Sequence, residues 1–309
     1  MKNNRTHLLM LFVCSFLWGT TFVAQSLGAD KLGPFTYLMG RSVLGFLFLI
    51  PVILVLDRMD RKKGRIRKPQ TPAQRRELYK AGFLCGTLLF AASTCQQIGI
   101  GTTTTAKAGF ITAMYVVLVP VLGVFLGRRP GGKIWACVVV CVAGLYLLSM
   151  KGGFSLSMGD SWVLACALLF AFQIMTVDHF CTRVDAVRLS CAQFFTVTVW
   201  SGAFSFILEH PTLDQIWGCI LPIAYAGILS SGVAYTLQIV GQEGVEPPIA
   251  SMVMSLESVF SALSGWLVLQ ESLTPREFLG CALMFGAILA AQLDLKSLPF
   301  LGSKKQTAP

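Results

Sequence analysis

The chain has 309 residues, 54% of them hydrophobic and only 13% charged, with a formal net charge of +10. So apolar a composition excludes an ordinary water-soluble domain, because most of its length needs an apolar solvent around it. The positive charge sits in short segments between apolar runs, a placement that suits a membrane surface and argues against nucleic acid as a partner.

A helix crosses the hydrocarbon of a bilayer with about 20 apolar residues. Windows of that kind fall at 8–26, 35–56, 81–100, 105–127, 133–149, 160–178, 189–208, 218–240, 247–269 and 276–293. They predict an all-α membrane protein of ten transmembrane helices joined by short loops. The runs Trp135–Leu148 and Phe194–Leu208 are apolar on every face, unlike the alternating strands of a transmembrane β-barrel. Lys2 and Arg5 precede the first window as in a signal peptide, but no small-residue cleavage site follows before Asp30, so this helix is read as retained.

Polar side chains at membrane depth are costly, and each is a candidate for function with helix packing as its alternative. In the first helix Trp18, Thr21 and Gln25 form one stripe at i, i+3 and i+7. Arg41 lies inside the second helix, where it could attract a substrate carboxylate or extend to the surface. The loop at 57–80 is strongly basic and is expected to lie in the cytoplasm. Gln96 and Gln97 follow in the third helix, and Lys107 and Tyr115 in the fourth. Lys107, near the outer boundary, could likewise draw a carboxylate or reach water. Gln173 is in the sixth helix, and Tyr235, Gln238 and Gln242 repeat the first stripe's spacing in the eighth.

The ninth helix holds Trp266 and Glu257. A carboxyl near the middle of a membrane helix has its charged form penalised by desolvation, so Glu257 could carry a proton, or it could bond a neighbouring helix with Ser261 and Ser264 on its face. Trp18, Thr21, Gln25, Gln97, Tyr115, Gln173, Tyr235, Gln238 and Trp266 are the expected substrate-cavity residues. A tail at 294–309 ends the chain.

With the N-terminus inside, the cytoplasmic segments carry 20 of the 25 Lys and Arg residues, the opposite side 3 and the spans 2. The positive-inside rule then places both termini in the cytoplasm. Sliding the chain by 152 residues sets helix one on helix six and Arg41 on Gln193, and an offset of about 145 sets Gln97 on Gln242. Two repeats of five helices, 8–149 and 160–293, follow, and an odd number inverts the second. Inverted repeats recur in secondary transporters, where two halves alternate around one central site.

The segments Phe16-Leu17-Trp18-Gly19-Thr20-Thr21-Phe22, Pro34 with Arg41, and Ala108 to Val117 leading into Pro120 carry a family pattern. Ser255 to Leu263, Leu269 to Thr274 and Gly280 carry it in the second half. The chain thereby resembles the drug/metabolite transporter superfamily, in its branch with two EamA domains. It departs from that pattern at Arg128-Arg129 after the fourth helix and at Ser258, where a proline is common. The resemblance implies a monomer or homodimer in the plasma membrane of a bacterium, moving small organic solutes, with amino acids and related metabolites prominent. No metal spacing, nucleotide-binding loop or nucleophile elbow is present, so neither a cofactor nor an enzyme is expected. Export of amino acids or related metabolites is the function expected, with drug or other small-solute transport, or a membrane-embedded lipid-handling enzyme, as alternatives.

Overall fold

The computed structural model describes residues 2–62, 71–102, 105–149, 157–269 and 274–292. The tail at 294–309, the central part of the basic loop and the side chain of Lys107 lie outside the described residues. Among the described residues there is no strand.

The helices begin where the sequence offers partners for free backbone N–H groups. Thr71 with Gln74, and Ser157 with Asp160, form capping boxes, while Pro34, Pro72, Pro247 and Pro275 stand at first positions, where a missing N–H costs nothing. The chain runs through α1 (Lys2–Ala29), α2 (Pro34–Lys62), α3 (Pro72–Ile100), α4 (Thr105–Thr112), α5 (Tyr115–Phe125) and α6 (Gly132–Ser149). Then come α7 (Met158–Phe180), α8 (Ala186–Leu208), α9 (Leu213–Gly218), α10 (Ile220–Tyr225), a π-helical stretch (Ala226–Ala234) and α11 (Tyr235–Gln242). Last are α12 (Pro247–Met254), α13 (Glu257–Leu269) and α14 (Pro275–Gln292).

Among the described residues, eight helical stretches are long and apolar enough to cross a membrane, a narrower finding than the ten expected. The two remaining windows correspond to α6 and α14, of 18 residues each, which pack along one another. Their approach needs glycine. A Cβ on Gly144 would stand 2.7 Å from the carbonyl oxygen of Gly280, and one on Gly280 would stand 2.6 Å from that of Gly144.

Three helices expected to be continuous are interrupted. The window at 105–127 breaks between Thr112 and Tyr115, and that at 247–269 between Met254 and Glu257. Both breaks tighten the backbone to i→i+3 bonds: Met114 N to Ile111 O and Val116 N to Ala113 O in one, Leu256 N to Val253 O and Ser258 N to Ser255 O in the other. Each of these bonds maps onto its counterpart by adding 142. The window at 218–240 is divided into α10, the π-helical stretch and α11.

The packing repeats as well. α3 lies along α7 as the stretch from α10 to α11 lies along α1, and α7 meets α4 and α5 as α1 meets α12 and α13. The pairs α2 with α8 and α6 with α14 join equivalent helices directly. Gln97 and Gln242, set together by the offset of 145, donate in the same way to a carbonyl of the helix they face, Gln25 O at 3.1 Å and Ile174 O at 3.0 Å. The wide apolar core lies among these contacts.

Candidate functional site

Where the two sets of helices meet, a narrow cavity of about 30 Å³ is lined by α1, α2, α3, α5, α7, the π-helical stretch, α11 and α13. Space of that size holds about two waters, far less than a ligand-filled pocket of roughly 300–1,000 Å³.

Trp18, Thr21 and Gln25 of α1, Tyr115 of α5, and Tyr235 and Gln238 of α11 all reach this lining, so the two sequence stripes meet in space. Trp18 packs on Tyr235 with ring centroids 4.7 Å apart. Arg41, Gln96 and Glu257 line the cavity too. The structure brings in Phe22, Phe170, Ile174 and Ser230 besides, residues that sequence reasoning missed. Phe22, Phe170 and Ile174 are ordinary apolar residues of an apolar span, and no local signal marks them.

Other candidates fall elsewhere. Gln97 stands behind the lining and Gln173 is fully buried there, each bonded to a residue that does line the cavity: Gln25 Nε2 donates to Gln97 Oε1 at 3.4 Å, and Gln238 Nε2 to Gln173 Oε1 at 3.1 Å. Trp266 is 45% exposed on α13 and does not reach the cavity. It lies beside the exposed Leu267 and Val268 near the end of α13. Lys107 has its backbone in α4, and its side chain is outside the described residues.

Arg41 is 5% exposed and does not extend to the surface. Its Nε donates to Ser231 Oγ at 3.2 Å and its Nη2 to Ser230 Oγ at 2.8 Å. The π-helical stretch carries both serines in succession and turns them toward the guanidinium, a widened turn of the kind that recurs at functional sites. Among the described residues no carboxylate pairs with Arg41.

Glu257 is 4% exposed and begins α13. Its partner is neither Ser261 nor Ser264 but Tyr115, whose hydroxyl donates to Oε1 at 2.9 Å. Ser264 donates instead to its own helix at Phe260 O. Tyr115 begins α5 as Glu257 begins α13, and 115 plus 142 is 257. The residue matching the carboxyl in the first half is therefore the phenol that binds it. That correspondence was open to a comparison of the two halves at an offset of 142. The break itself was not, since neither Gly nor Pro stands at 112–115 or 254–257.

Next to the carboxyl the two halves come unusually close. A Cβ on Gly19 of α1 would lie 2.4 Å from Phe260 Cβ and 2.6 Å from the carbonyl oxygen of Glu257. Among the described residues no group of His, Cys, Asp and Glu is placed to hold a metal ion. What the arrangement offers is a narrow, two-sided cavity with a fixed cation and a carboxyl on its wall.

The model of the EamA-like transporter family matches residues 5–150 and again 157–291. An uncharacterized transporter of Archaeoglobus fulgidus is 28% identical over 92% of this chain and 85% of its own length. The threonine/homoserine exporter RhtA of Escherichia coli K12 is 28% identical over 56% of this chain and 57% of its own. A solved crystal structure superposes on 93% of this chain and 96% of its own with a TM-score of 0.73 at 19% identity, which shows a shared fold.

Proposed function

We propose that this chain, a membrane transporter that belongs to the EamA-like transporter family, exports amino acids or related small metabolites by alternating access. It works as a secondary active or facilitative carrier in the plasma membrane of a bacterium and not as an enzyme. Ten transmembrane helices in two inverted repeats, 8–149 and 160–293, hold the solute between them, with both termini in the cytoplasm. The short pair α6 and α14 supplies the fifth and tenth spans.

The observation that carries this reading is the cavity, to which one repeat brings Arg41 and the other Glu257. A site at the junction of two repeats is exposed to one side or the other as the halves tilt. At about 30 Å³ it is too small for a metabolite, so a solute enters only when the halves part. The name of RhtA supports amino acids as cargo. Trp18, Thr21, Gln25, Tyr115, Tyr235 and Gln238 form the substrate wall, with Gln97 and Gln173 holding two of them from behind. Glu257 is the group through which a proton would be exchanged.

The test is counterflow in proteoliposomes loaded with unlabelled amino acid. Purified protein is expected to concentrate external labelled amino acid transiently and to accumulate it when a proton gradient is imposed, and Glu257→Gln to lose the gradient-driven accumulation; unchanged accumulation in that variant would exclude the coupling role. Failure of a broad solute panel with folded protein would remove the transporter reading.

A further inference from the structure

Four polar groups on the cavity lining are left with complementary hydrogen-bonding capacity, two as donors and two as acceptors. A guanidinium has five N–H groups, and among the described residues Arg41 makes bonds through Nε and Nη2 only. The indole Nε1–H of Trp18 is buried without a partner among the described residues, and it can act only as a donor. On the other side, Glu257 accepts, among the described residues, from Tyr115 at Oε1 alone. The amide of Gln238 is fully buried, and while its Nε2 donates to Gln173, its Oε1 has no partner among the described residues.

Buried polar atoms are nearly always bonded, so a lone donor and a lone acceptor on one cavity wall call for an explanation. The donors belong to the first repeat, at 18 and 41, and the acceptors to the second, at 238 and 257.

We infer that the cavity takes a zwitterion: its carboxylate accepts from Arg41 and from Trp18 Nε1–H, and its ammonium donates to Glu257 and to Gln238 Oε1. The inference rests on the reading of the chain as a transporter and adds that both charges of the cargo are required. Each repeat reads one of them. A solute with a single charge engages one half and leaves the other half's polar atoms unpaired. Sites built to hydrogen-bond a group reject an analogue lacking it far more strongly than apolar pockets reject a missing methylene. The bound zwitterion also ties the two repeats together when the cavity closes around it.

Counterflow of labelled L-threonine, L-leucine and L-phenylalanine, each challenged by its decarboxylated amine and its deaminated 2-hydroxy acid, tests the inference. The unlabelled amino acid is expected to compete fully, whereas either analogue at about tenfold excess leaves exchange intact. Trp18→Phe, which keeps the ring and drops the N–H, and Gln238→Met, which keeps length and drops the acceptor, are expected to raise KM about tenfold while melting like the parent protein. If amine or acid analogues exchange as fast as the amino acids, the zwitterion is overturned and the transporter stands. If amino acids exchange and both variants keep the parent KM, Trp18 and Gln238 are not its ligands and the assignment falls. If folded protein exchanges no solute at all, the transporter reading falls first and this one with it.

Discussion

The hydroxyl of Tyr115 and the carboxyl of Glu257 meet from half-helices that begin at matching positions of the two repeats. The bond spans 142 residues and joins the halves at the wall of the cavity. Hydrogen bonds between membrane helices contribute on average about 0.6 kcal/mol, so its removal is a small matter for stability. Tyr115→Phe is therefore expected to melt within about 1 kcal/mol of the parent protein while amino-acid counterflow falls by about tenfold, because Glu257 loses the partner that orients it. Equal losses of stability and transport would make the bond structural. Gly19 presents the opposite case. Its Cβ position is blocked by Phe260 and by the backbone of Glu257, so Gly19→Ala forces α1 off α13 and is expected to cost about 1–3 kcal/mol in thermal unfolding. Gly132→Ala, where nothing lies within 4 Å, is the control and should change stability by about 0.5 kcal/mol or less.

α2 and α8 are held together at both ends by residues that the offset of 152 interchanges. Thr36 maps to Arg188 and Asp57 to Glu209, since 188 minus 36 and 209 minus 57 are both 152. At one end Arg188 Nη2 pairs with Asp57 Oδ1, both side chains being mostly buried. At the other, Glu209 Oε1 accepts from Phe35 N at 2.9 Å, and its Oε2 accepts from Thr36 N at 2.7 Å and Thr36 Oγ1 at 2.6 Å. A carboxylate at a helix start satisfies free N–H groups and meets the positive end of the helix dipole. The pair α2 and α8 is thus fastened at both ends. Glu209→Ala is expected to lower stability by about 1–3 kcal/mol, since three donors lose their acceptor. Asp57→Ala should cost a similar amount by stranding the Arg188 charge, and the double variant Asp57→Ala with Arg188→Ala less than the sum of the single ones. Additive losses in the thermal melts would show that Asp57 and Arg188 are not coupled.

Across the whole molecule, the packing of helix on helix obeys the repeat that the sequence shows at offsets of 152 and 145. With the proposed topology, reporter fusions at both termini should read as cytoplasmic, and an external reporter signal from either would invert the orientation. The helical, apolar character of the chain and the oddity of Arg41 and Glu257 were legible before any coordinates, because hydropathy and charge act residue by residue along the chain. The two α1 and α11 stripes were legible for the same reason, as the helical period alone places Trp18, Thr21 and Gln25 on one face. Tertiary structure alone decided where the helices break, that Tyr115 binds Glu257, that Ser230 and Ser231 hold Arg41, and that Trp266 faces outward. In a membrane helix both the packed face and the lipid face are apolar, so periodicity cannot tell Trp266 from Trp18. A break without Gly or Pro is held by contacts from distant segments, and a partner 142 residues away is chosen by packing and by nothing local.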